Sequence, residues 1–153
     1  ASLEKLHSEE EENENYHVVI SKIEAFSQGE KSNGVISVGK DLEIIADYKT
    51  DLPVEDVTLG FSFYRGDGLC CYGTNSKTDH AQIMKMTNNG KVRLRFPEIN
   101  MLPGEYWLDL YVEDRMGVRI VSVLKACHIQ IYADVTETGL TRMQHSWKCI
   151  EGE

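Results

Sequence analysis

Hydrophobic and polar residues alternate with a period of two along most of this chain. Val57, Leu59, Phe61 and Phe63 alternate with Thr58, Gly60, Ser62 and Tyr64. Tyr106, Leu108, Leu110 and Val112 alternate with Trp107, Asp109, Tyr111 and Glu113. The same rhythm runs through Leu42–Lys49 and through Lys91–Phe96. Side chains of a strand point to opposite faces in turn, so each segment reads as a strand with one buried and one wet face. Turn-forming residues separate them: Asn33-Gly34, Asp51-Leu52-Pro53, Gly66-Asp67-Gly68, Asn88-Asn89-Gly90, Pro103-Gly104 and Met116-Gly117. The pattern predicts strands near 16–26, 35–49, 55–65, 69–73, 90–97, 104–113, 118–132 and 139–148. Only 79–86 reads as a helical turn. With no helix to cover a sheet, two sheets must cover each other. The expected fold is an all-β antiparallel sandwich, immunoglobulin-like or jelly-roll-like. Its expected core holds Leu59, Phe61, Phe63, Leu94, Phe96, Leu108, Leu110 and Val112.

Charge alters the picture at the start of the chain. Residues 1–15 carry six glutamates against Lys5, and 8–15 include no apolar side chain. Such a stretch has nothing to bury against its ordering entropy. It is read as an acidic linker, with the sandwich domain at 16–153. The whole chain of 153 residues carries a formal charge of -9. That excludes a nucleic-acid backbone as partner, since phosphate binding needs a basic face.

The chemistry on offer is sparse. There is no GxSxG, HExxH, Walker lysine loop or GxGxxG. The five histidines are dispersed, and no catalytic residue, metal site or cofactor is expected. Cys70, Cys71, Cys127 and Cys149 lack metal-ligand spacing and read as reduced thiols. Asp109 and Glu113, on an outward strand face, read as solvated carboxylates rather than an acid–base pair.

Outward aromatics are the informative feature. Trp107 and Tyr111 fall on the polar face of their strand with Asp109 between them. A flat ring stacks on the C–H face of a pyranose while polar neighbours bond its hydroxyls. The same aromatics also suit a subunit interface. The candidate carbohydrate-binding residues are Trp107, Tyr111, Asp109, Tyr64, Ser62 and Arg93.

Three segments then carry a family resemblance: Tyr72-Gly73-Thr74-Asn75-Ser76, Leu102 through Leu110 with its Pro103-Gly104-Glu105-Tyr106-Trp107, and Gly139-Leu140 followed by His145-Ser146-Trp147. In this order the chain resembles the C-terminal carbohydrate-binding domain of Wzt proteins, the ATP-binding subunits of polysaccharide ABC transporters. Where the family commonly has Thr after the Asn, Ser76 stands here. The resemblance implies a β-sandwich behind a nucleotide-binding domain, at the cytoplasmic face of the inner membrane. It implies a homodimer made by exchange of the C-terminal strand, with the transporter's nucleotide-binding and membrane subunits as further partners. It also implies recognition of the exported O-antigen glycan, often at its modified non-reducing end, without chemistry. The competing expectation is an immunoglobulin-like dimerisation domain that binds no sugar.

Overall fold

The computed structural model describes residues 18–81 and 84–150, the side chain of Met84 aside. The acidic linker at 1–15 and the predicted strand start at Tyr16 and His17 lie outside the described residues. Ten strands follow in order: β1 (Val18–Ser27), β2 (Glu30–Ser32), β3 (Val35–Ser37), β4 (Leu42–Thr50), β5 (Val54–Arg65), β6 (Cys70–Asn75), β7 (Met84–Met86), β8 (Asn89–Phe96), β9 (Gly104–Glu113) and β10 (Arg119–Tyr132). No helix occurs among the described residues.

The strands form two sheets. One has the order β2-β1-β4-β8 and the other β3-β10-β9-β5-β6, with β7 paired to β5. All pairs are antiparallel except β3 with β10. The two inner faces enclose the core, in which Ile44, Leu108 and Ile129 are fully buried. The alternation holds: Phe61, Phe63, Leu108 and Val112 are buried, and Leu59, Leu94, Phe96 and Leu110 pack against the core from partly buried positions. Phe61, Phe63 and Phe96 meet edge-on, with ring centres 5.0–5.8 Å apart. The Tyr106 hydroxyl donates to the Leu102 carbonyl at 2.6 Å and so pins the entry to β9.

Three expectations need correction. The predicted strand at 35–49 is two strands in different sheets. Gly39 takes φ +79°, and its amide bonds the Ile99 carbonyl, so the chain turns there and crosses the sandwich. Residues 79–86 are only partly a turn: Asp79 N bonds Asn75 O, but Met84–Met86 is a strand on β5. The predicted strand at 139–148 does not form within this chain. It makes one bridge, Thr141 to Met101, and residues 142–150 run on exposed. A strand persists only where its backbone groups find a ladder, and this segment finds one residue of it.

Candidate functional site

The outer face of the larger sheet gathers five of the six residues singled out. The β5–β9 register sets Tyr64 beside Trp107, Ser62 beside Asp109 and Gly60 beside Tyr111. Alternation turns all of these away from the core. Arg93 is not among them. It lies on β8 in the other sheet, facing outward, with its Nε 3.3 Å from Glu43. Lys91, Arg93 and Arg95 there pair with Asp47 and Glu43 of β4 and with Asp41 just before it, as an ordinary solvated ion-pair face does.

Strand β10 adds residues that the pattern of β5 and β9 alone did not reveal. His128 sits opposite Trp107, their ring centres 4.4 Å apart and tilted by 44°. His128 Nε2 lies 2.7 Å from Glu105 Oε1. Between Val123 and Cys127 the ladder shifts, so Leu124, Lys125 and Ala126 bulge opposite the single residue Asp109. Lys125 there has φ +52°, a left-handed conformation that costs a non-glycine residue about 1–2 kcal/mol. The cost is offset by Asp109, whose Oδ1 accepts a hydrogen bond from the Lys125 amide at 2.7 Å. The Lys125 ammonium then lies 5.1 Å from the centre of the Trp107 ring, within cation–π range. A sequence signal for this bulge exists. Val121, Val123, Cys127, Ile129 and Ile131 occupy inward positions two apart, and the position left between them holds a lysine.

The far end of the face is differently arranged. Tyr111 lies against Gly60, where any Cβ would collide with its ring. The Arg119 guanidinium covers that ring at 4.1 Å, bonds Ser122 Oγ at 2.8 Å and approaches Glu113 at 3.6 Å. Both rings carry a cation, Arg119 on Tyr111 and Lys125 on Trp107; Tyr111 is in addition locked against Gly60, whereas Trp107 borders the exposed Lys125 and half-buried His128. The motif at 72–76 is used structurally: Asn75 Oδ1 accepts from Thr78 N, and Ser76 Oγ accepts from Leu59 N.

A second concavity, a cavity of about 210 Å³, opens between the sheets and is lined by Ala46, Phe61, Met86, Val92, Leu94 and Leu110, with Asn75, Ser76 and Asp79. Arg93 and Tyr111, two of the six candidate residues, also line it, but most of its wall is apolar and offers few partners for hydroxyls, so the outer face suits a sugar better. Among the described residues no group of three or more His, Cys, Asp or Glu side chains is arranged for a metal ion. Nor is any helix there long and apolar enough to cross a membrane.

The fold defines the class first. The chain superposes on the crystal structure of the C-terminal domain of Wzt with a TM-score of 0.80, covering 95% of this chain and 89% of that one at 12% identity. A weaker likeness, TM-score 0.50 at 13% identity, is to an alkylpurine DNA glycosylase of Pseudomonas fluorescens, covering 74% of this chain and 30% of that one. The sequence then gives the family: the Wzt C-terminal domain model matches residues 9–143, and the chain belongs to that family. A curated relative is the O-antigen export system ATP-binding protein RfbB of Myxococcus xanthus, 25% identical over 130 residues. The match takes in 85% of this chain and only 29% of that protein's length.

Proposed function

We propose that this domain is the non-catalytic glycan-recognition module of an ATP-binding subunit that exports O-antigen polysaccharide. Membership of the Wzt C-terminal domain family and the relative named for O-antigen export support the setting. On this reading the module works on the cytoplasmic side of the membrane, attached to nucleotide-binding and membrane subunits that carry out transport. It recognises the exported chain at its non-reducing end.

One observation carries the sugar reading: Trp107 sits on an outward sheet face, bordered by Lys125, His128, Asp109, Tyr64 and Ser62. A pyranose stacked on the indole would meet hydrogen-bonding groups on either side. Shallow sites of this kind bind in the micromolar to millimolar range, about 4–8 kcal/mol in total. The stacked ring accounts for about 1–3 kcal/mol of that.

The test is titration with the polysaccharide of the organism from which the chain derives. Trp107→Ala is expected to abolish measurable binding and leave the melting transition nearly in place, because no core cavity opens. Unchanged binding by that variant would place the site elsewhere.

The family's homodimer, formed by exchange of the terminal strand, belongs to the same proposal. Met143 is 76% exposed, Trp147 91% and Ile150 84%. Large apolar side chains gathered in one exposed segment favour a partner chain.

A further inference from the structure

We propose that the polysaccharide lies crosswise on the outer face of the larger sheet, with its end against the β10 bulge, and that the rest of the chain leaves over Gly73 at the free edge of β6. The inference rests on the reading of this face as the sugar site and adds to it the course of the chain.

A low row across the strands is the first ground. The register sets Gly73 of β6, Ser62 of β5 and Asp109 of β9 side by side. All three are short, and Gly73 is exposed. The outward rows on either side are aromatic: Tyr64 and Trp107 on one, and on the other Tyr111, laid over Gly60. Outward positions two residues apart along a strand are ~7 Å apart, so ~14 Å separates the two aromatic rows at the backbone. The face therefore carries a trough that runs across the strands. A glycan laid along the strands meets an aromatic row as an obstacle. One laid across them has rings beside it for its C–H faces and short polar groups beneath it for its hydroxyls.

The two ends of the trough differ, which is the second ground. At β10 three residues, Leu124, Lys125 and Ala126, stand opposite Asp109, where a regular ladder has one. That extra backbone, with the Lys125 side chain lying toward Trp107, fills the row at this end. At the other end β6 is the last strand of its sheet, and the row finishes on a residue with no side chain. Glycine weakens a strand and often marks a close approach by a ligand or another backbone. Any Cβ at Gly73 would come within 2.8 Å of Ser62 Oγ, so another residue there would crowd the serine hydroxyl as well as raise the edge. A trough closed at one end and open at the other admits a chain by its end and lets the remainder trail away.

Cys70 is a reporter at that exit. It is a free, exposed thiol on β6, paired with Tyr64. Val35, exposed on β3, marks the opposite edge of the same sheet. The experiment uses this chain with Trp147→Phe, so that Trp107 is its single tryptophan, and with Val35→Cys. It is saturated with the polysaccharide of the organism from which the chain derives, as followed by Trp107 fluorescence. A brief pulse of thiol reagent is then read cysteine by cysteine by mass spectrometry.

Polysaccharide is expected to slow Cys70 at least about fivefold, since reaction needs an accessible thiolate, and to leave the cysteine at 35 within about twofold of its free rate. The protection of Cys70 should disappear in Trp107→Ala. A Cys70 rate unchanged while the polysaccharide still alters Trp107 fluorescence would overturn the proposal and leave the sugar site standing. Protection of the cysteine at 35 alone would send the chain out over β3, and equal protection of both would mean a chain that crosses the whole sheet. Either result overturns the proposal. If the polysaccharide does not alter Trp107 fluorescence, both this course and the sugar site fall.

Discussion

The ring of Tyr111 lies across Gly60, its neighbour on the adjacent strand, so closely that no Cβ fits between them. With Arg119 on the ring as well, glycine, tyrosine and arginine form one stacked unit on the outer sheet. Gly60→Ala is therefore expected to displace the tyrosine and cost about 1–3 kcal/mol, the range for overpacking. Chemical denaturation measures it. An unchanged midpoint would mean that Tyr111 moves aside freely.

Leu108 is fully buried at the centre of β9. Leu108→Ala removes core contacts and leaves a cavity, for an expected loss of about 2–5 kcal/mol. A variant as stable as the parent would contradict the inward face assigned to that strand.

Burial pushes the Cys127 thiol up to about 11. A group whose folded pKa is raised supports the fold below its unfolded value, near 8.5. That support fades as pH rises from there through about 11. With a thiol reagent at about pH 8, where the thiolate is the reacting form, exposed Cys70 and Cys149 should react first. Cys127 should react only as the protein unfolds. Equal rates for Cys127 and Cys70 would refute its burial.

Arg65 donates to both carboxylate oxygens of Asp67, at 2.9 and 2.6 Å, in the β5–β6 turn. That fork, with help from the Leu69 amide, holds the Asp67 carboxyl down at about 2. A depressed carboxyl supports the turn above its unfolded value and loses that support as pH falls through about 2. An NMR titration should place the Asp67 midpoint there, and Arg65→Gln should raise it towards the ordinary value of about 3.9. An Asp67 midpoint that ignored Arg65→Gln would show that the pair does not persist in solution.

Removal of residues 143–153 deletes Met143, Trp147 and Ile150 but keeps Thr141 on Met101. Sedimentation is expected to show a dimer for the parent and a folded monomer for the shortened chain. A shortened chain that stays dimeric would rule out exchange of the terminal segment.

The faces of the strands were legible in the sequence because alternation is a local property: one extended backbone, two directions. Phe61, Phe63 and Leu108 point inward and Ser62, Trp107 and Asp109 outward on that ground alone. The family was legible too, with the segments around Gly73 and Pro103 inside the matched residues 9–143 and the segment around Trp147 beyond them. What tertiary structure decided is which strands lie side by side, since pairing joins residues far apart in the chain and a single strand does not encode its neighbour. Arg93 has the same outward alternation as Ser62, yet the order of strands puts it in the other sheet. His128 meets Trp107 only because β10 lies beside β9. Lys125 reaches the indole only because the Asp109 carboxylate, sixteen residues earlier in the chain, holds a strained amide that no local pattern of alternation requires. The segment at 139–148 alternates like a strand but finds one bridging residue within its own chain, and a ladder needs two strands.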